Sequence, residues 1–329
     1  MFNFINFLRV LAAVLITNSH YSEIWPVSSL ATGGLLGNVI FFAVSGFCLY
    51  SVKDPFVKWY AKRFARIYPI VAVFTAITVL MGMYHIDGFS SFIKLFVFPT
   101  NYIFIVWMLI LYVPFYFVCK LDRKNENTVK YVLLGTALLW ILAYIAFVDK
   151  SVYCVDDVNS PFIMFVYFAS MLTGAYLRKH REMVKKTSCK RVLCLAFGFC
   201  LYFGSKIVFS KVAKLVILQP LNQIFLMVAM LLVFVTAMGL EDRTEKVNPK
   251  LLGLVKSVSS ITLHIYVVQF VVIGSFAHLA FPIDLFVVTS LILVGAFALY
   301  YAEYLSKKGI VLLLHKFNYK KRLENKCRK

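Results

Sequence analysis

Apolar runs of about 17 to 24 residues recur along the chain, and the short stretches between them hold most of its charge. A helix of about 20 residues spans the roughly 30 Å hydrocarbon core of a bilayer, so each run is long enough to cross. The runs lack the period-2 alternation of a barrel strand, which leaves helices as the spanning element. The pattern predicts about ten transmembrane helices: residues 2–21, then near 33–52, 68–84, 101–119, 131–148, 161–178, 191–209, 221–240, 255–276 and 283–304. The expected fold is an all-α polytopic membrane helix bundle. It forms a single domain over 1–329, with a basic tail from about 305 to 329.

Composition agrees: 61% of residues are hydrophobic and 15% charged, far from the soluble average. The net charge of +20 raises the question of a nucleic-acid partner. Its placement answers no, because about 28 of the 35 Lys and Arg fall in alternate loops and the tail, against about 5 in the others. That asymmetry puts both termini in the cytoplasm. The seven cysteines show no disulfide framework and no zinc-type spacing, so no metal is expected.

Two residues break the apolar pattern of the first run. Arg9 and His20 are eleven steps apart, within roughly 20° of three whole turns, which places them on one helix face about 16 Å apart. A charged group inside a span costs about 2.5 to 3.5 kcal/mol on insertion scales and usually faces a bundle interior or a wet cavity. The plainer alternative is that Arg9 snorkels to the interface and His20 caps the far end. Arg63 and Arg66, three apart, share a face just before the third run, where they also serve as ordinary positive-inside residues. Ser45, in VSGF, lacks the elbow motif of a serine nucleophile and suits close helix packing. The acidic residues Asp149, Asp156 and Asp157 read as a solvated outer loop.

Three motifs in order carry a resemblance. An Arg and a His separated by ten residues, then FFAVSGF in the second run, then the R-x-x-R of Arg63 and Arg66 leading into RIYP resemble the integral membrane acyltransferase-3 family. Its members include bacterial polysaccharide O-acetyltransferases. Trp107 and Leu109 resemble the Trp-x-Leu of a later family helix, but Leu111, Tyr112 and Val113 stand where some members carry a Glu. Ile265 and Tyr266 match another late motif. Gln269 occupies the place where a His often follows and His264 lies a turn earlier, and neither enters the expected catalytic set.

The resemblance implies an O-acetyltransferase of the bacterial inner (plasma) membrane, multi-pass, taking acetyl from cytoplasmic acetyl-CoA to a hydroxyl of a surface polysaccharide or its lipid-linked precursor. His20 would be the base or acyl relay, since imidazole exchanges a proton near neutral pH. Arg9 would hold a phosphate or the acyl carbonyl, and Arg63 and Arg66 the cofactor's phosphates, which a guanidinium fork binds bidentately. The alternative reading is a transporter or flippase for a lipid-linked sugar. It would be expected to show internal repeats, and none is evident.

Overall fold

The computed structural model describes residues 2–99, 102–184, 186–276 and 280–327, with side chains through 308 apart from those of Phe276 and Lys307. The described residues form helices and connecting turns, without a strand. In chain order they are α1 (Asn3–Ser19), α2 (Gly34–Leu49), α3 (Phe56–Leu80), the short α4 (Phe89–Phe92), α5 (Ile103–Asp122), α6 (Thr128–Phe147), α7 (Ile163–Lys179), α8 (Cys189–Lys211), α9 (Gln219–Met238), the short α10 (Glu241–Thr244), α11 (Pro249–Ser260), α12 (Thr262–Phe276) and α13 (Ile283–Cys327).

The centre of the bundle is α2. It is buried over 67% of its span, whereas α6 and α8 are buried over 17% and turn apolar side chains such as Leu138, Leu142 and Phe197 outward. Lipid tails are as apolar as these side chains, so the outer helices need no further cover, and the inner helices hold together by close packing instead. Two glycines make that packing feasible. A Cβ on Gly46 of α2 would collide with the carbonyl oxygen of Met171 in α7, and one on Gly174 of α7 with the carbonyl oxygen of Ala43 in α2. The Phe42 and Tyr167 rings stack between the same helices at 4.3 Å.

The basic loops meet at one end of the bundle. Glu241 of α10 accepts hydrogen bonds from the backbone amides of Asn3 and Phe4 at 2.8 and 2.7 Å, so a carboxylate caps the positive N-terminus of α1. Nearby, Asp122 accepts from Tyr50, Lys179 and the amide of Val129, which ties α2, α5, α6 and α7 together. Arg178 and Arg181 lie over the Phe2 ring.

Several expectations need revision. Seven described helices are long and apolar enough to cross a membrane, or eight counting the α11–α12 pair, while α1 and α7 have 17 residues each, at the short limit. A multi-pass helical bundle is therefore supported, without the count of about ten. The ninth expected span, 255–276, is not one straight helix: α11 and α12 meet at a 66° bend. No Gly or Pro marks the break. Instead Ser260 and Thr262 donate to the carbonyls of Ser257 and Ser259, back-bonding that pulls carbonyls out of the helical ladder. The third helix starts at Phe56 rather than 68 and runs through Pro69, so the basic stretch with Arg63 and Arg66 is helical and continuous with the span. The expected tail continues α13, and its side chains beyond 308 lie outside the described residues.

Candidate active site

A cavity of about 860 Å³ opens among α1, α2, α3, α5, the α11–α12 bend and α13. Irregular backbone within a membrane is tolerated where it lines such a space, and the serines of the bend, Ser259 and Ser260, face it. Arg9, Arg63 and Arg66 all line it, brought together from two helices that lie some 55 residues apart in sequence. Lys62 and Lys256 also reach its wall, and Glu303 is its acidic residue.

Two of the three guanidinium groups have weak local partners. Arg9 approaches the Cys48 sulfur with Nη2 at 4.0 Å, and Arg63 packs its guanidinium 4.7 Å above the Trp59 ring and donates to the Trp59 carbonyl at 3.4 Å. Among the described residues none of the three forms an ion pair with a carboxylate, whereas Lys62 is engaged by Asp54 at 2.6 Å. That Asp54 carboxyl, in the loop outside the membrane, is held below its ordinary value chiefly by the hydrogen bond from Lys62. Clustered like charges repel one another, so the cavity as built favours a multiply charged anion.

His20 is placed elsewhere. It is the residue that ends α1 on the side away from the basic loops, it does not line the cavity, and its ring packs edge-on against Phe270 of α12 at 4.8 Å. The shared face expected for Arg9 and His20 is the flank that α1 presents to α11 and α12. Asn6 accepts from Ser259 at 3.0 Å near the basic end, and Thr17 donates to Gln269 at 2.7 Å a turn before His20. Four rings bridge the cavity and His20. Phe104 and Tyr266 line the cavity 5.3 Å apart, Tyr266 meets Phe270 at 5.6 Å, and Tyr102 packs against both Tyr266 and Phe270.

Other residues take clearer roles. Gly46 is the packing residue of VSGF, while Ser45 lines the cavity. Trp107 donates to the carbonyl of Val158, and Tyr60 to that of Leu109. Asp149 and Asp157 cap local turns, and Asp156 pairs with Lys206 at 2.7 Å, which gives that lysine a carboxylate partner. Hydrogen bonds from Ser151 hold the Asp149 carboxyl below its usual value.

Sequence reasoning passed over one pair in the cavity. His264 of α12 lies 2.9 Å, Nε2 to Oε2, from Glu303 of α13, and both line the space that holds the arginines. The available signal was Glu303 itself, an acid at the end of the last apolar run, the kind of residue that asks for a partner on a neighbouring helix.

A family model described as an acyltransferase domain (Acyl_transf_3) matches residues 2–302. No curated protein and no solved structure matches the chain.

Proposed function

Because the chain belongs to this acyltransferase family, we propose that it moves an acetyl group from acetyl-CoA through the bundle to a hydroxyl of a surface polysaccharide or its lipid-linked precursor. The observation that carries the reading is the pairing of an arginine-lined cavity at the basic end of α1 with a histidine at its other end, joined by one aromatic neck. By the positive-inside rule the basic end faces the cytoplasm, where the donor is made, and His20 then lies toward the outer side of the inner membrane, where the glycan is.

The dimensions support the division of labour. Arg9 and His20 are eleven residues apart on one helix, about 16 Å. The arm between the phosphates and the sulfur of coenzyme A is about as long as four residues of extended chain, roughly 13–14 Å. With its phosphates on Arg63, Arg66 and Arg9, the donor would lay its thioester in the neck near His20. Arginine suits the first task because its fork is planar and permanently charged. Histidine suits the second because it takes the hydroxyl proton as the acceptor attacks. No metal is required by this chemistry.

Acetyl-labelled acetyl-CoA, given to membranes carrying the protein with and without acceptor glycan, tests the reading. Acceptor-dependent transfer is expected, and His20→Ala at equal protein level should lower its rate by about 10² to 10⁴. A transporter would move lipid-linked sugar without consuming the donor, and a His20→Ala protein with normal transfer would remove the catalytic role.

A further inference from the structure

Two buried hydrogen-bond donors lie near His20, one by way of the Phe270 ring on which His20 rests and the other by way of Thr17 of α1. Tyr102 is 1% exposed and Gln269 is fully buried, and neither the Tyr102 hydroxyl nor the Gln269 Nε2 has a hydrogen-bond partner among the described residues. Leaving such a group unpaired destabilises the fold, and folded proteins retain few of them. The Tyr102 ring is 5.9 Å from that of Phe270, and Gln269 precedes Phe270 in α12. Gln269 is also anchored at its other amide atom, because Oε1 accepts from the Thr17 hydroxyl at 2.7 Å, so the end that remains to donate is Nε2. Thr17 lies one turn before His20 on α1.

We propose that the Tyr102 hydroxyl and the Gln269 amide together hold the carbonyl oxygen of the acyl group beside His20. The assignment rests on the acyl-transfer reading above and adds to it the place where charge develops. The acceptor hydroxyl gives its proton to the His20 imidazole as its oxygen bonds to the carbonyl carbon. The electron pair of the C=O bond moves onto the carbonyl oxygen, where the two donors meet it. That pair then re-forms C=O, the C–S bond breaks, and the departing thiolate takes the proton from the His20 imidazolium. Preorganised donors in a site shielded from water are worth most at this oxygen, since they need no reorientation as the charge appears. Substrate carbonyl oxygen would also satisfy the two donors that the fold leaves unpaired.

Tyr102→Phe removes one donor and keeps the ring contacts. Gln269→Glu removes the other and keeps an oxygen for Thr17. With acetyl-labelled acetyl-CoA as probe and glycan-bearing membranes as acceptor, each variant should lose about 10²-fold in kcat with KM for acetyl-CoA unchanged. Thermal unfolding of the purified variants guards against a structural effect. Tyr102→Phe and Gln269→Glu proteins within about threefold of wild-type kcat would overturn the assignment, as would losses that follow reduced thermal stability rather than turnover. Should wild type itself transfer no acetyl from acetyl-CoA, the acyl-transfer reading fails; active wild type with active variants overturns only this inference.

Discussion

The two ends of α1 are built on opposite principles. At the basic end the helix borders an open cavity, and its charged residue Arg9 has a thiol 4.0 Å away and no carboxylate ion pair among the described residues. At the other end the helix is clamped. A Cβ on Gly37 of α2 would come within 2.7 Å of the Ile16 side chain and one on Gly34 would collide with that of Ser19, Asn18 donates to the carbonyls of Leu30 and Thr32, and Trp25 donates back to Asn18. The loop enters α2 through Gly33, whose φ of +98° a side chain would strain. An end that binds a large, flexible anion needs room and unneutralised charge, whereas an end that moves a proton needs its imidazole held in place. On the proposed reading one helix can serve both tasks because its neighbours change along its length from a bent helix and a cavity to glycine-mediated contact.

The largest effect is expected where the clamp is broken. Gly37→Val puts a branched side chain where even one carbon would collide with α1 backbone. Overpacking of this kind typically costs about 1 to 3 kcal/mol, and a 1 Å displacement of a catalytic group costs about 10²-fold in rate. The purified variant should show a lower unfolding temperature and at least that loss of turnover. Unchanged values for both would mean that the His20 end of α1 is not held by this contact.

At the cavity end the expected change is in donor affinity with the fold intact. Arg63→Ala and Arg66→Ala should raise KM for acetyl-CoA, since losing a charge-assisted contact costs about 1.5 to 3 kcal/mol, or roughly 10- to 150-fold. Arg66→Ala should be the larger of the two. Arg63 already spends part of its guanidinium on the Trp59 ring and carbonyl, so less of it is available to a phosphate. Steady-state kinetics on both variants checks the order, and unaltered KM in both would return these residues to a purely topological role.

Much of this division was legible from residue order, and the remainder was not for physical reasons. Run length locates most of the helices because each apolar segment must satisfy its own backbone in lipid. The bend at Ile261 was not legible, since it arises from serine and threonine hydroxyls back-bonding in a stretch that otherwise reads as a continuous span. The start of α3 was also misjudged. Apolar pattern ends where the membrane ends, while the helix carries on through Lys62, Arg63 and Arg66 into the basic end. Arg9 and His20 stand out in sequence as polar groups in an apolar run. That Arg9 faces the same space as Arg63 and Arg66 depends on long-range packing of α1 against α12 and of α12 against α3, which no spacing within one helix encodes. The His264–Glu303 pair escaped for the same reason, its members being 39 residues apart on two helices.

The smallest of these effects, and the one that separates the two ends most finely, is expected from Arg9→Lys. The substitution keeps the positive charge at the basic end, so insertion and abundance should match wild type. It removes the planar fork: a guanidinium offers five donors in a fixed geometry that suits two oxygens of one phosphate, whereas an ammonium is a compact point charge on a flexible stem. Arg9 is also the cavity arginine that sits on the same helix as His20, so on the proposed reading its grip would set how far the donor arm reaches along α1. A donor held by a point charge would sample a wider range of depths, and its thioester would spend less time at the neck. The expected result is a fall of at least about tenfold in kcat/KM for acetyl-CoA, the size of one lost charge-assisted hydrogen bond, with no change in unfolding temperature. Equal kcat/KM for Arg9→Lys and wild type would reduce Arg9 to a snorkelling charge, and the donor's position in the cavity would then have to be set from α3 alone.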